Sequence, residues 1–190
     1  AAVHYLGPLR DYPQPRYKWE GERPSNVGRR GEFAVSAFLA ALSEGKNGKK
    51  NKNGLIGKEI VGWLKKMGLS DQFAVKETPK NSRNYEVRVK TAKESSEVMI
   101  TDVGFGVSQI LPVLVLCYYV PENSIIILEQ PEIHLHPSAQ AWLADVFIDV
   151  AKNRNVQIIL ESHSEHLLRR LQRRIAEDEI KVDQTALYFC

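Results

Sequence analysis

Two short runs, SIIILE at 124–129 and VQIILE at 156–161, are apolar at consecutive positions, and each ends on a glutamate. A strand with one face in water alternates apolar and polar residues, so an unbroken run implies cover on both faces. Helical stretches separate and follow these runs: PSAQAWLADVFIDVAK, opened by Pro137, and SEHLLRRLQRRIAEDE. Strand, helix, strand, helix in this style predicts an α/β fold, a mostly parallel sheet with helices on both faces. A third strand is expected at TALYF, 185–189. With 190 residues, 43% of them hydrophobic, the chain can bury a core of its own.

Upstream the style differs. VGFGVSQ at 103–109 leads into ILPVLVLCYYV, an expected helix buried on most sides, with Pro112 near its first turn where a missing N–H costs least. FAVKE, YEVRVKTA and EVMIT read as a small antiparallel meander, Tyr85, Val87 and Val89 alternating with Glu86, Arg88 and Lys90. Helical spacing over 32–42 sets Phe33, Ala34, Ala37, Phe38 and Ala41 on one face. A second helix at about 57–67 carries Ile60, Val61, Leu64 and Met67 on a stripe, with Gly68 as its stop. The lysine-and-glycine run between them, 45–54, predicts a solvated loop. The first thirty residues, dense in prolines and aromatics, read as an irregular arm.

A net charge of +3 is too mild to require a nucleic-acid partner. Two cysteines, Cys117 within an apolar run and Cys190, cannot build a disulfide framework or a four-cysteine zinc site, which fits a reducing, cytoplasmic setting. The longest apolar stretch, 110–120, is about half of the ~20 residues that span a bilayer, so no membrane partner is expected. The chain starts without Met and stops on a strand-like run, and both ends read as cut from something longer.

In open α/β sheets, ligands bind beyond the carboxyl ends of the strands, where loops and helix N-termini converge. Glu129 falls at that edge. A rigid apolar strand ending in an acid is how P-loop NTPases aim a carboxylate at Mg²⁺ and the terminal phosphates. The second run ends alike, with Glu161, Ser162 and His163 reaching an edge expected beside the first.

The order VGFGVSQ, IIILEQPEIHLHP, QIILESHSEHLL resembles the C-terminal half of the ABC-type ATPase head found in SMC proteins, OLD nucleases and related prokaryotic AAA-family ATPases. The resemblance covers 101–171, and YLGPLR with the meander is similar to one prokaryotic branch. It implies an ATPase that uses ATP and Mg²⁺ and closes head-to-tail as a homodimer through the nucleotide site. It also implies roles. Gly104 to Gln109, with Gly106 and Ser108 between, occupy the signature loop that contacts the γ-phosphate held by the opposite protomer. Glu129 corresponds to the Walker B acid, Leu135 and His136 to the D-loop, and His163 to the switch histidine that steadies the attacking water. On this reading 1–31 is an arm, 32–101 a helical and meander insertion, and 102–190 the C-terminal part of an ATPase domain.

Several positions depart from the family. The glutamate that usually activates water is Gln130 here, which can hold water but cannot take its proton, so hydrolysis is expected to be slow or to use Glu132. Gly104 replaces a serine of many relatives. No G-x-x-x-x-G-K-[ST] occurs, so the phosphate cradle is expected outside these residues, and the chain alone is expected to bind ATP weakly or not at all. Two other readings stand beside the ATPase. One is a nucleotide-gated clamp with little hydrolysis, with DNA as a partner through the basic stripe Arg169, Arg170, Arg173 and Arg174. The other is a metal-dependent hydrolase built on His134 and His136 with Glu129 or Glu132.

Overall fold

The computed structural model describes residues 2–46 and 53–189, so most of the lysine-and-glycine run lies outside the described residues. In chain order the elements are β1 (Val3–Leu6), β2 (Tyr17–Lys18), α1 (Ala34–Lys46), α2 (Asn53–Lys66), β3 (Gln72–Glu77), β4 (Asn84–Lys90), β5 (Val98–Met99), α3 (Phe105–Tyr119), β6 (Ile125–Glu129), α4 (Pro137–Arg154), β7 (Gln157–Glu161) and α5 (Glu165–Ala176). The expected α/β architecture is present: a parallel sheet ordered β1-β6-β7, flanked by helices, and an antiparallel sheet in which β4 pairs with β2, β3 and β5.

Register in the parallel sheet fixes everything that follows. Ile127 lies opposite Tyr5 on one side and Ile159 on the other, and the last pair is Glu129 with Glu161. Ile126 and Leu128 are fully buried, as a strand between two others should be. β7 is one of the sheet's two edges among the described residues, and its Ile159 is 50% exposed.

Three sequence expectations need correction. The arm is not irregular throughout, because Val3–Leu6 is a strand of the main sheet, with Leu6 buried against β6. A four-residue strand cut off by Gly7-Pro8 is too short for periodicity to reveal. Pro112 does not lie near a first turn, since α3 starts at Phe105 and carries it in its interior. TALYF forms no strand: Leu187, Tyr188 and Phe189 are 52%, 87% and 88% exposed, and no described strand pairs with them. Residue preference expresses fit to a pleated, half-buried surface, and this segment meets none.

A single hydrophobic core joins the three regions read from the sequence. Leu6 from the arm, Phe38, Leu64 and Val89 from the stretch before 101, and Leu114, Ile126 and Leu143 after it belong to one cluster. α3 explains why, being apolar around its whole circumference and buried from Val107 to Tyr119 beneath α1, α2 and α4. Where its polar groups fall inside, they find partners. Trp63 donates to the Tyr118 hydroxyl, which donates to Asp149 at 2.6 Å. At its C-terminal end Arg154 donates to the carbonyls of Cys117 (2.7 Å) and Val120 (2.6 Å), where the helix dipole favours a cation. Burial pushes the Cys117 thiol up to about 12, so it remains protonated and inert.

Candidate functional site

The sheet ends in acid. Glu129 terminates the middle strand, and its register partner Glu161 terminates β7, so two carboxylates stand side by side at the carboxyl edge. From β1, the Tyr5 hydroxyl donates to Glu129 Oε1 at 2.9 Å. That bond, then partial desolvation, raises the Tyr5 pKa above its ordinary value. Three strands thus contribute to one short row of polar atoms.

Past Glu129 the chain turns tightly. Gln130 takes φ 44°, in the left-handed region, and its N–H donates to the Glu161 carbonyl at 2.9 Å. Its side-chain Nε2 reaches Glu161 Oε1 at 3.4 Å, which keeps the amide at the edge between the two strands. Ile133 N donates to Gln130 O and Leu135 N to Glu132 O, closing the loop, with His134 also at positive φ.

Glu132 does not face the exposed tip. Only 7% exposed, its Oε1 accepts the His163 backbone N–H at 2.8 Å. His163 itself follows β7 after Ser162, its Nε2 3.7 Å from Glu161 Oε1 and its ring 79% exposed. Ser164 then caps α5, accepting from Leu167 N at 3.0 Å and donating to Gln140 Oε1 at 2.6 Å, so the loop after β7 is bound to the first turn of α4. Gln130, Glu132 and His163, the three expected catalytic residues, therefore lie in adjoining loops, with Glu132 turned inward.

Arg10 completes the arrangement. Its Nη2 lies 3.3 Å from the carbonyls of both Glu129 and Gln130, and the side chain is buried to 4% exposure. Burial pulls its pKa down to about 10, opposed by the negative charge of Glu132. Neither Tyr5 nor Arg10 was singled out from the sequence. The available signal was YLGPLR itself, a tyrosine and an arginine on either side of a Gly-Pro break.

The residues expected in the signature loop divide. Gly104 is the N-cap of α3 and is exposed, and Gly106 sits in the first turn. Ser108 and Gln109 are 6% and 5% exposed, and the Ser108 hydroxyl is spent on the Phe105 carbonyl at 3.0 Å. Phe105, 53% exposed, meets the Tyr12 ring edge-on at 5.9 Å and the His134 ring at 5.7 Å. That contact brings the start of α3 beside the loop after β6.

His136 serves as the N-cap of α4, its Nδ1 accepting from Ser138 N at 3.3 Å. Among the described residues no three His, Cys, Asp or Glu side chains gather in a ready metal site. Mg²⁺ asks for less. It binds through one or two carboxylates plus substrate phosphates, and Glu129, with Oε1 held by Tyr5 and Oε2 without an assigned partner among the described residues, fits that demand.

The arginine stripe on α5 is largely neutralised. Arg170 and Arg174 converge on Asp145 of α4 at 2.7 Å and 2.6 Å, Arg169 pairs with Glu165, and Arg173 with Glu177. No helix among the described residues is long and apolar enough to cross a membrane.

Comparison with known proteins adds three findings. A search of curated proteins finds no match. Among solved structures, one from work on ATP-driven dimerization and DNA-stimulated activation of SMC ATPases superposes with a TM-score of 0.49 at 14% identity, over 70% of this chain and 77% of that one. An Smc head bound to the C-winged helix domain of ScpA gives 0.49 and 14%, over 70% of this chain and 43% of that one. An Smc head with an extended coiled coil, bound to the C-terminal domain of ScpA derived from Pyrococcus furiosus, gives 0.49 and 12%, over 75% and 38%. The chain thus matches less than half the length of the last two. The AAA ATPase domain family matches residues 35–168, from within α1 through β6 and β7 to the start of α5. By that match over most of its length, the chain belongs to the AAA ATPase domain family.

Proposed function

We propose that the chain is the carboxyl-edge part of an ABC-type head that binds and hydrolyses ATP with Mg²⁺, the phosphate cradle coming from a P-loop its 190 residues do not contain. The observation that carries this reading is the register pair Glu129 and Glu161 at the tips of adjacent parallel strands, with His163 in the loop just beyond. Glu129 would hold the ion, which when bound neutralises charge on the β- and γ-phosphate oxygens. Gln130 and His163 orient the attacking water. An amide takes no proton, and the carboxylate next to Gln130 is that of Glu161, which we assign as the acceptor.

Closure of two heads, head-to-tail, is the second part of the proposal. The α3 N-terminus presents backbone N–H groups at Gly104 and Gly106 to a γ-phosphate bound by the other protomer, as a helix N-terminus favours anions. Ser108 and Gln109 support this turn from inside, and His136 lies on the loop that crosses to the partner. DNA is the partner class we propose for the closed pair, and the cytoplasm its compartment. If Gln130 makes hydrolysis slow, the same closure acts as a nucleotide-gated clamp.

Light scattering on a protein that joins this chain to its P-loop tests the proposal. ATP with Mg²⁺ should convert monomer to dimer, and Gly106→Trp at the α3 N-terminus should prevent it. A mass that ignores nucleotide would refute head closure, and single-turnover hydrolysis separates ATPase from clamp.

A further inference from the structure

Arg10 and Glu132 are the two buried charges of the site, 4% and 7% exposed, and they come from segments more than a hundred residues apart. Each touches a different loop. Arg10 holds the carbonyls of Glu129 and Gln130, while Glu132 holds the His163 N–H. Among the described residues, the remaining polar atoms of both, Arg10 Nε and Nη1 and Glu132 Oε2, are buried without another hydrogen-bond partner. A buried guanidinium or carboxylate left alone is costly; here the charge of Glu132 acts on Arg10 from a distance, with no direct ion pair between them. Two buried charges that each end on backbone rather than on each other call for a reason other than packing.

We propose that Arg10 and Glu132 are a positioning pair that sets the distance between the tip carrying Glu129 and Gln130 and the loop carrying His163. Each residue grips backbone, so each fixes where a chain segment runs. A single guanidinium nitrogen, Nη2, spans the two neighbouring carbonyls. Neither side chain touches the reacting atoms. The inference rests on the ATPase reading for its purpose, and on hydrogen bonding alone for its geometry.

The test is amide hydrogen exchange at His163, read by NMR on this chain without nucleotide, together with the unfolding temperature. Glu132→Leu should lower the melting temperature and speed His163 exchange by about ten-fold or more relative to Leu160 on β7. Glu132→Gln, which keeps an acceptor oxygen, should leave that exchange within about three-fold of wild type. The double variant Arg10→Met with Glu132→Leu leaves no unpaired buried charge. It should recover most of the melting temperature while His163 exchange stays fast. A double variant that protects the His163 amide as well as the wild type does would show that another contact places the loop, and that result overturns the proposal. So does unchanged exchange in Glu132→Leu, or a double variant that does not fold. If exchange behaves as stated but the wild-type protein with its P-loop turns over no ATP, the ATPase reading falls and the positioning geometry stands.

Discussion

Glu129 and Glu161 are register partners at the ends of two parallel strands, and no other pair in that sheet joins two acids. Two like charges side by side are not placed there for stability. Their position at the carboxyl edge is where an α/β sheet gathers its chemistry.

The Tyr5 hydroxyl reports on Glu129 without any nucleotide. Its raised pKa comes first from donating to that carboxylate, so replacing the charged acceptor by a neutral one should lower it toward 10.0. Ring-labelled NMR titration of Glu129→Gln should show one tyrosine moving down. An unshifted Tyr5 would mean that the contact is absent in solution.

Glu161 as proton acceptor predicts an exchange of roles. Glu161→Gln should reduce ATP turnover by about 100-fold in a protein that also carries the P-loop. Adding Gln130→Glu should recover much of the loss, because the acid returns to the neighbouring position 3.4 Å away. Steady-state hydrolysis of the two variants checks this, and a Glu161→Gln enzyme with full activity would exclude the assignment.

Gly31 and Gly62 should respond oppositely to alanine. Gly31 has φ +79°, and a Cβ there would lie 2.5 Å from that of Pro112, so Gly31→Ala should lose about 1–3 kcal/mol. Gly62, inside α2, has nothing within 4 Å of such a Cβ, and Gly62→Ala should gain about 0.5–1 kcal/mol. Urea unfolding measures both.

His4 predicts the direction of pH dependence near neutrality. Burial lowers its folded pKa below the ordinary 6.5, and its Nε2 is buried without a hydrogen-bond partner among the described residues. Between those two values the unfolded chain binds more protons than the folded one, so stability falls as pH drops through 6.5 and levels off below the folded pKa. Carboxylates held low by cations, such as Glu86 and Asp71, act only at more acidic pH. Unfolding at about pH 7.5 and about pH 5 should therefore show a loss in the wild type that shrinks in His4→Leu.

The parts of this fold legible in the sequence were those with long or repeated signals. Two apolar strands ending in acid specified the parallel sheet and the edge where Glu129, Glu161 and His163 meet. The meander of β3, β4 and β5 followed from alternation. What escaped had either too short a signal or none. Val3–Leu6 is four residues beside a Gly-Pro break. Tyr5 and Arg10 reach the site only because β1 pairs with β6, a contact across more than a hundred residues that no local pattern encodes. The inward turn of Glu132 has the same origin, since spacing places a carboxylate near the tip but not the direction in which it points. Apolar content at 185–189 signalled a strand, yet a strand exists only where a neighbour pairs with it.

Mg²⁺-dependent ATP hydrolysis by a protein joining this chain to its P-loop, compared between wild type and Glu129→Gln, tests the central claim most directly. The account predicts turnover in the wild type and a loss of about 100-fold or more in the variant, with the melting temperature little changed. Undiminished turnover in Glu129→Gln would contradict it.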